Sequence, residues 1–182
     1  MKAILLAAGR GVRAGGPKAW AMHDGRPLLE CQLRFLLTRF SPERISVSIQ
    51  KEWEPRCRAL SAGARWIAVD PDAPALASAI ALLDGTPDWT FLHHVDMPVW
   101  EPALFDRLAS RAAEDAGVEA VIPTFENRGG HPVLLSPAAV AAMAELDPAK
   151  HRLDHWLRAR RVARVETDWP CVVENWNEGI AR

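Results

Sequence analysis

The chain has 182 residues, 49 % hydrophobic and 25 % charged, the balance of one soluble globular domain with a substantial core. A formal net charge of −1 argues against a general attraction to nucleic acid or to anionic membrane. The apolar run after Met1-Lys2 is too short for a signal peptide or a membrane span, and Cys31, Cys57 and Cys171 are too widely spaced for a disulfide framework or zinc site, so a cytoplasmic protein is expected.

The first predicted strand, Ala3 to Ala7, runs straight into Gly9-Arg10-Gly11-Val12-Arg13-Ala14-Gly15-Gly16-Pro17-Lys18. Four glycines within eight positions leave backbone N–H groups free to face an anion. Arg13 and Lys18 add two side-chain charges suited to phosphate oxygens. The run therefore reads as a polyphosphate loop. Gly9-x-Gly11-x-x-Ala14 meets the spacing of a dinucleotide fingerprint, but Gly15-Gly16-Pro17 forbids the helix that fingerprint needs. A Walker loop needs Gly-Lys followed by Ser or Thr, whereas Pro17 precedes Lys18 and Ala19 follows it. The plain alternative is a strand-to-helix turn whose glycines only supply positive φ.

Further along, Leu29, Leu33, Leu36, Leu37 and Phe40 repeat at helical spacing after the Pro27 start signal. Ile45, Val47 and Ile49 alternate as a strand. Arg56 to Ala62 is a predicted short helix, Trp66 to Val69 a strand, and Ala75 to Leu83 a helix with Ser78 in its first turns. Trp89 to Val95 is the next strand and delivers Asp96 at its carboxyl end, the edge where ligands gather in open α/β sheets. His93 and His94 fall on opposite faces of that strand, which argues against one shared metal and for one packed and one exposed ring. Helices follow at Pro102 to Ala116, Pro137 to Leu146 and Leu153 to Arg160, with strands at Glu119 to Pro123 and Val162 to Glu166. This alternation predicts an α/β fold with a mainly parallel central sheet, organised as one domain over residues 1–182. Arg158, Arg160, Arg161 and Arg164 form the densest basic cluster, expected as a solvated helix end, or else as a receptor for an anionic acceptor or a partner protein. The eight tryptophans have no period; Trp20 and Trp176 stand nearest the motif segments, although packing is the expected role for most of the eight.

Leu6-Ala7-Ala8-Gly9-x-Gly11-x-Arg13-x-Gly15-x-Pro17-Lys18 resembles the signature of the MobA-like nucleotidyltransferases, which include the molybdopterin cytidylyl- and guanylyltransferases. Asp24 to Glu30, Phe91 to Pro98 with its Asp96-x-Pro98, Gly129-Gly130-His131-Pro132, and Asn175-x-Asn177 are similar to that family's later segments, in the same order. The resemblance implies a three-layer Rossmann-like domain of the nucleotide-diphospho-sugar transferase type, with Mg²⁺ as cofactor. It further implies transfer of a nucleotide from a nucleoside triphosphate to a small phosphorylated acceptor, molybdopterin first, as a monomer or weak homo-oligomer.

In roles carried over from the family, Leu6, Ala7, Ala8, Gly9, Gly11, Gly15 and Ser78 bind the nucleotide. Arg13, Lys18 and Asp96 are catalytic, Gly130 and His131 meet the acceptor, and Asp96 and Asn177 hold the metal. His131 is as readily a packing residue. Leu6-Ala7-Ala8-Gly9 resembles the cytidylyl branch, where the Ala8 methyl narrows the slot for the base, while Asn175-x-Asn177 resembles the guanylyl branch; CTP is expected ahead of GTP. Two departures are plain. Ala14 replaces the usual methionine, and the C-terminal segment lacks the usual Thr-Pro-Glu-Asp helix start, which bears on the second metal ligand. A sugar- or alditol-phosphate nucleotidyltransferase, or a nucleotide-binding regulatory module with weakened catalysis, are the alternatives.

Overall fold

The computed structural model describes residues 1–12 and 15–176. Its centre is an eight-stranded sheet in the order β10-β7-β9-β6-β1-β4-β5, with β8 paired to β7. The strands are β1 (Lys2–Leu6), β4 (Ile45–Ile49), β5 (Arg65–Ala68), β6 (Thr90–His94), β7 (Ala120–Phe125), β8 (Arg128–Gly129), β9 (Val133–Leu135) and β10 (Val162–Glu166). β2 (Met22–His23) and β3 (Arg26–Pro27) make a separate hairpin around Asp24 and Gly25, both at positive φ, as a tight two-residue turn requires. The long strands run in one sense. β9 is reversed, pairing antiparallel with both β6 and β7, and β8 is antiparallel to β7.

Side chains on successive strand residues alternate between the two faces, so a strand covered on both sides must be apolar throughout. β1 is buried at every position: Leu5 joins one core cluster, Ile4 and Leu6 the other. The first cluster packs under α1 (Leu28–Leu37), α2 (Glu54–Leu60) and α4 (Pro102–Ala113). The second packs under α3 (Ala75–Ala81), α5 (Pro137–Ala144) and α6 (Leu153–Arg158). The result is the expected three-layer α/β arrangement. α1 turns Leu28, Leu29, Leu33 and Leu36 inward at helical spacing, and each fully buried leucine contributes about 1.5–3 kcal/mol. α5 starts at Ser136, whose Oγ accepts from the Ala139 N–H at 3.2 Å.

The reversed strand β9 is the main feature absent from the sequence reading. It has three residues bounded by Pro132 and by Ser136-Pro137, too short to show a period. Its pairing partners identify it: Leu134 sits opposite Phe91 on one side and Val121 on the other.

Candidate active site

Two concave regions open at the carboxyl ends of the parallel strands. The first, about 310 Å³, is lined by Leu6, Ala7, Ala8, Gly9 and Gly11 on one side and by Lys18, Ser78 and Asp96 on others. Polar side chains from β4 and just beyond it hold the loop after β1 in place. The Ala7 N–H donates to Ser48 Oγ at 3.1 Å, and Gln50 Nε2 donates to the Ala8 carbonyl at 2.9 Å. Gly11 lies at φ +63°, and a Cβ there would stand 1.8 Å from the Gly16 carbonyl oxygen, so only glycine fits. The Gly16 N–H donates back to the Gly11 carbonyl at 3.1 Å and closes the loop. Gly15, at φ +77°, serves this closure and does not line the cavity. Arg13 and Asn177 lie outside the described residues.

Arg10, from the same loop, forms a two-point ion pair with Asp72, Nε to Oδ1 at 2.6 Å and Nη2 to Oδ2 at 2.7 Å. This exposed pair joins the glycine loop to the segment between β5 and α3, whose Asp70, Pro71 and Ala73 also line the cavity.

Asp96 stands just past β6. Its segment is fixed from below by Gln32 of α1, a fully buried side chain that donates to the Val95 carbonyl at 3.2 Å and to the Met97 carbonyl at 2.5 Å. Gln32 Oε1 in turn accepts from Trp100 Nε1 at 3.0 Å. A buried amide so fully satisfied is a positioning device. From the other side, the Trp176 N–H donates to the Asp96 carbonyl at 2.9 Å. Lys18 Nζ donates to Asp96 Oδ2, and also to Asn175 Oδ1 at 3.3 Å. The first and last motif segments thus meet across 157 positions of sequence.

The second cleft, about 1270 Å³, is separated from the first by Ala75 and His94, which line both. Gly130 and His131 are on its wall. A Cβ on Gly130 would stand 2.1 Å from the Val172 carbonyl oxygen, which itself accepts the His131 N–H at 2.8 Å. His131 packs edge-on against His94, with ring centroids 4.7 Å apart. The expectation of one packed and one exposed histidine needs correction. His93 is buried in the sheet as expected, but His94 is half-buried and forms the partition between the clefts, because β6 is central and its outward face ends under the site.

The arginine cluster divides as well. Arg158, Arg160 and Arg164 line the second cleft, while Arg161 pairs with Asp115 at 3.1 Å away from it. Arg158, exposed in the last turn of α6, is the solvated helix end that was expected and also borders the cleft, while Arg161 stands beyond that helix. Trp20 and Trp176 line neither cleft. Trp20 packs edge-on to Trp53 at 5.5 Å with Arg56 3.7 Å above its ring, and Trp176 packs with His23 and Trp100.

Desolvation lowers the pKa of His93, His94 and His131. Desolvation lowers His93 to about 3, with the neighbouring His94 adding to it. Desolvation likewise lowers His94, opposed by Asp96 and reinforced by Lys18, and His131, reinforced by His94 and His93. Both ring nitrogens of His93 are buried with no geometrically formed hydrogen bond among the described residues. A histidine lowered in the fold binds its proton in the unfolded chain first. Its stabilisation is therefore complete above pH 6.5 and is lost as pH falls toward 3. Chemical denaturation at pH 7.5 and at pH 5 is expected to show falling stability, and His93→Leu to flatten the slope by about 1.4 kcal/mol per pH unit, the value of one proton. An unchanged slope in that variant would exclude His93 as a contributor.

The site's oxygen donors suit a hard divalent cation. Asp96 offers a carboxylate and Asn175 an amide oxygen, both within reach of one ammonium. Among the described residues no group of three or more His, Cys, Asp or Glu side chains is arranged to hold a metal. A cation here would be completed by phosphate oxygens and water, as magnesium ordinarily is.

Comparisons with known proteins agree with this geometry. Residues 3–165 match the family model described as the MobA-like NTP transferase domain. A 2-C-methyl-D-erythritol 4-phosphate cytidylyltransferase of Corynebacterium glutamicum is 32 % identical over 142 residues, covering 68 % of this chain and 54 % of that protein. The chain thus spans about half the length of the curated relatives it matches. Among solved structures, the Rv0371c protein of Mycobacterium tuberculosis superposes with TM-score 0.74 at 20 % identity, covering 97 % of this chain and 94 % of that one. Its complex with manganese superposes at 0.69. A molybdopterin-guanine dinucleotide biosynthesis protein A from Archaeoglobus fulgidus gives 0.66 at 21 % identity, covering 91 % and 83 %. At such identities these structures establish the fold, and the family match adds the kinship: the chain belongs to the MobA-like NTP transferase family.

Proposed function

We propose that this chain, acting as one unit, transfers a nucleotide from CTP, with GTP second, to a small phosphorylated acceptor and releases pyrophosphate. The carrying observation is the meeting of Lys18 and Asp96 at the edge of the glycine-loop cavity. An acceptor phosphate oxygen attacks the α-phosphorus, and the bond from that phosphorus to the bridging oxygen breaks in line. Such reactions are accelerated mainly by positioning and by neutralising charge. The loop amides bind the triphosphate, Arg13 neutralises its β and γ groups, and Ser78 meets the base. Lys18 exchanges Asp96 for an α-phosphate oxygen when nucleotide enters. Magnesium, held by Asp96 with Asn177 as a weaker second ligand, would supply charge neutralisation at the phosphates. Gly130 and His131 border the acceptor, which would lie in the second cleft and meet the nucleotide at His94.

Molybdopterin is the first candidate acceptor, in keeping with the family and with the A. fulgidus neighbour. A sugar or alditol phosphate is the second, in keeping with the C. glutamicum relative. Ala8 supports CTP: its methyl narrows a backbone-lined slot, which penalises a purine more than a pyrimidine. Isothermal titration with CTP and with GTP at equal magnesium tests this, with tighter CTP binding expected. Tighter GTP binding reverses the base assignment, and failure of both to bind removes the proposal.

A further inference from the structure

The second cleft carries a charge pattern that a neutral acceptor body does not require. Its walls hold five cationic side chains, Lys150, Arg152, Arg158, Arg160 and Arg164, against one carboxylate, Asp154. Three of the five are answered locally. Lys150 pairs with Asp147 at 3.0 Å, Arg152 with Asp154 at 3.1 Å, and Arg160 with Glu119 at 3.3 Å. Arg158 and Arg164 have no ion-pair partner among the described residues. In a chain of formal net charge −1, two unanswered guanidiniums on one concave wall are a local excess.

The backbone turns one of them toward the reaction centre. Arg164 stands opposite Ile122 of β7, and its Nη1 lies 4.0 Å from where a Cβ of Gly129 would be. The guanidinium therefore extends across β7 to the strand beyond. The sheet order β10-β7-β9-β6 then leaves one to two strand spacings, about 5–10 Å, between this cation and the line of β6. β6 leads to Asp96. On the same wall, His131 Nδ1 is buried without a hydrogen-bond partner among the described residues.

Resting on the nucleotidyltransferase reading above, we propose that the acceptor carries a second anionic group, apart from the phosphate that receives the nucleotide, and that Arg158 and Arg164 hold it. A small polyanion fits better than a macromolecule, because the cations line a concavity that adjoins the nucleotide cavity at Ala75 and His94. Guanidinium groups suit a phosphate or carboxylate there through paired N–H donors.

The test compares two probes on one skeleton, fructose 1,6-bisphosphate and fructose 6-phosphate, by isothermal titration at fixed low ionic strength. The parent protein is expected to bind the bisphosphate about tenfold more tightly or better, the scale of one added charge-assisted contact. Arg158→Ala combined with Arg164→Ala is expected to bring the ratio to about one, while Arg161→Ala, which removes a cation outside the cleft, preserves it. A parent ratio near one overturns the proposal and needs no variant to be folded. An equal loss in Arg161→Ala overturns it too, since only overall charge would then matter. CTP and GTP titrations on the same samples separate the two readings. Nucleotide binding with no preference between the sugars removes the second anion alone. A clear preference with no nucleotide binding removes the nucleotidyltransferase reading and the acceptor assignment with it.

Discussion

Lys18→Ala is expected to slow nucleotidyl transfer at least ~10²-fold, the scale of removing one charge stabiliser from a transition state. Lys18 opens a short 3₁₀ turn, Lys18–Trp20, directly after the glycine loop, so its position is set by a rigid element. Its ammonium is mostly shielded from water, with 17 % of the side chain exposed, and faces Asp96 at 14 %. In that setting a charge acts more strongly than at a free surface. The same variant is expected to bind Mn²⁺ more tightly without nucleotide, because the ammonium and a divalent cation compete for one carboxylate. Falling turnover with rising metal affinity would separate a catalytic role from damage to the fold, which would lower both. Near-normal turnover of the folded variant would remove Lys18 from the reaction.

The fold was legible wherever a periodic apolar pattern met a clear boundary. β4 was read at Ile45 to Ile49 and β10 at Val162 to Glu166, matching the structure. The helix starts at Pro102, Pro137 and Leu153 match as well, while several ends fall a few residues earlier than read. The glycine loop and Asp96 were legible because a loop that faces an anion and a strand that ends in an acid are local features. The supports beneath them were not. Gln32 sits in an ordinary amphipathic helix, and only the fold brings its amide under Val95 and Met97. Ser48 and Gln50 gave a fainter sign, as polar residues in and just after an apolar strand, and both are buried. The arginine cluster was legible only in part, for a related reason. Arg158 and Arg161 are close in chain order but belong to different surfaces, because α6 ends at Arg158 and the turn after it redirects the chain before Arg161.

Asp96→Ala is expected to abolish metal-dependent turnover, a loss of about 10³-fold or more, since a bound cation is worth several kcal/mol of charge stabilisation in such a reaction. The carboxylate sits where three constraints converge. β6 delivers it beside the glycine loop, Gln32 fixes the carbonyls on either side, and the Trp176 N–H holds its own carbonyl. A substituted side chain elsewhere on the loop therefore has no equivalent position from which to replace it. Asn177→Asp is the converse change: a carboxylate is a stronger ligand for magnesium than an amide oxygen, so turnover is expected to persist and metal affinity to hold or rise. Turnover measured across a magnesium series, with Mn²⁺ binding followed by electron paramagnetic resonance, distinguishes the outcomes. If Asp96→Ala turns over normally at ordinary magnesium, the cation is held elsewhere. If Asn177→Asp weakens metal binding, Asn177 is not a ligand, and Asn175, 3.3 Å from the Lys18 ammonium, is the amide of that segment that faces the site.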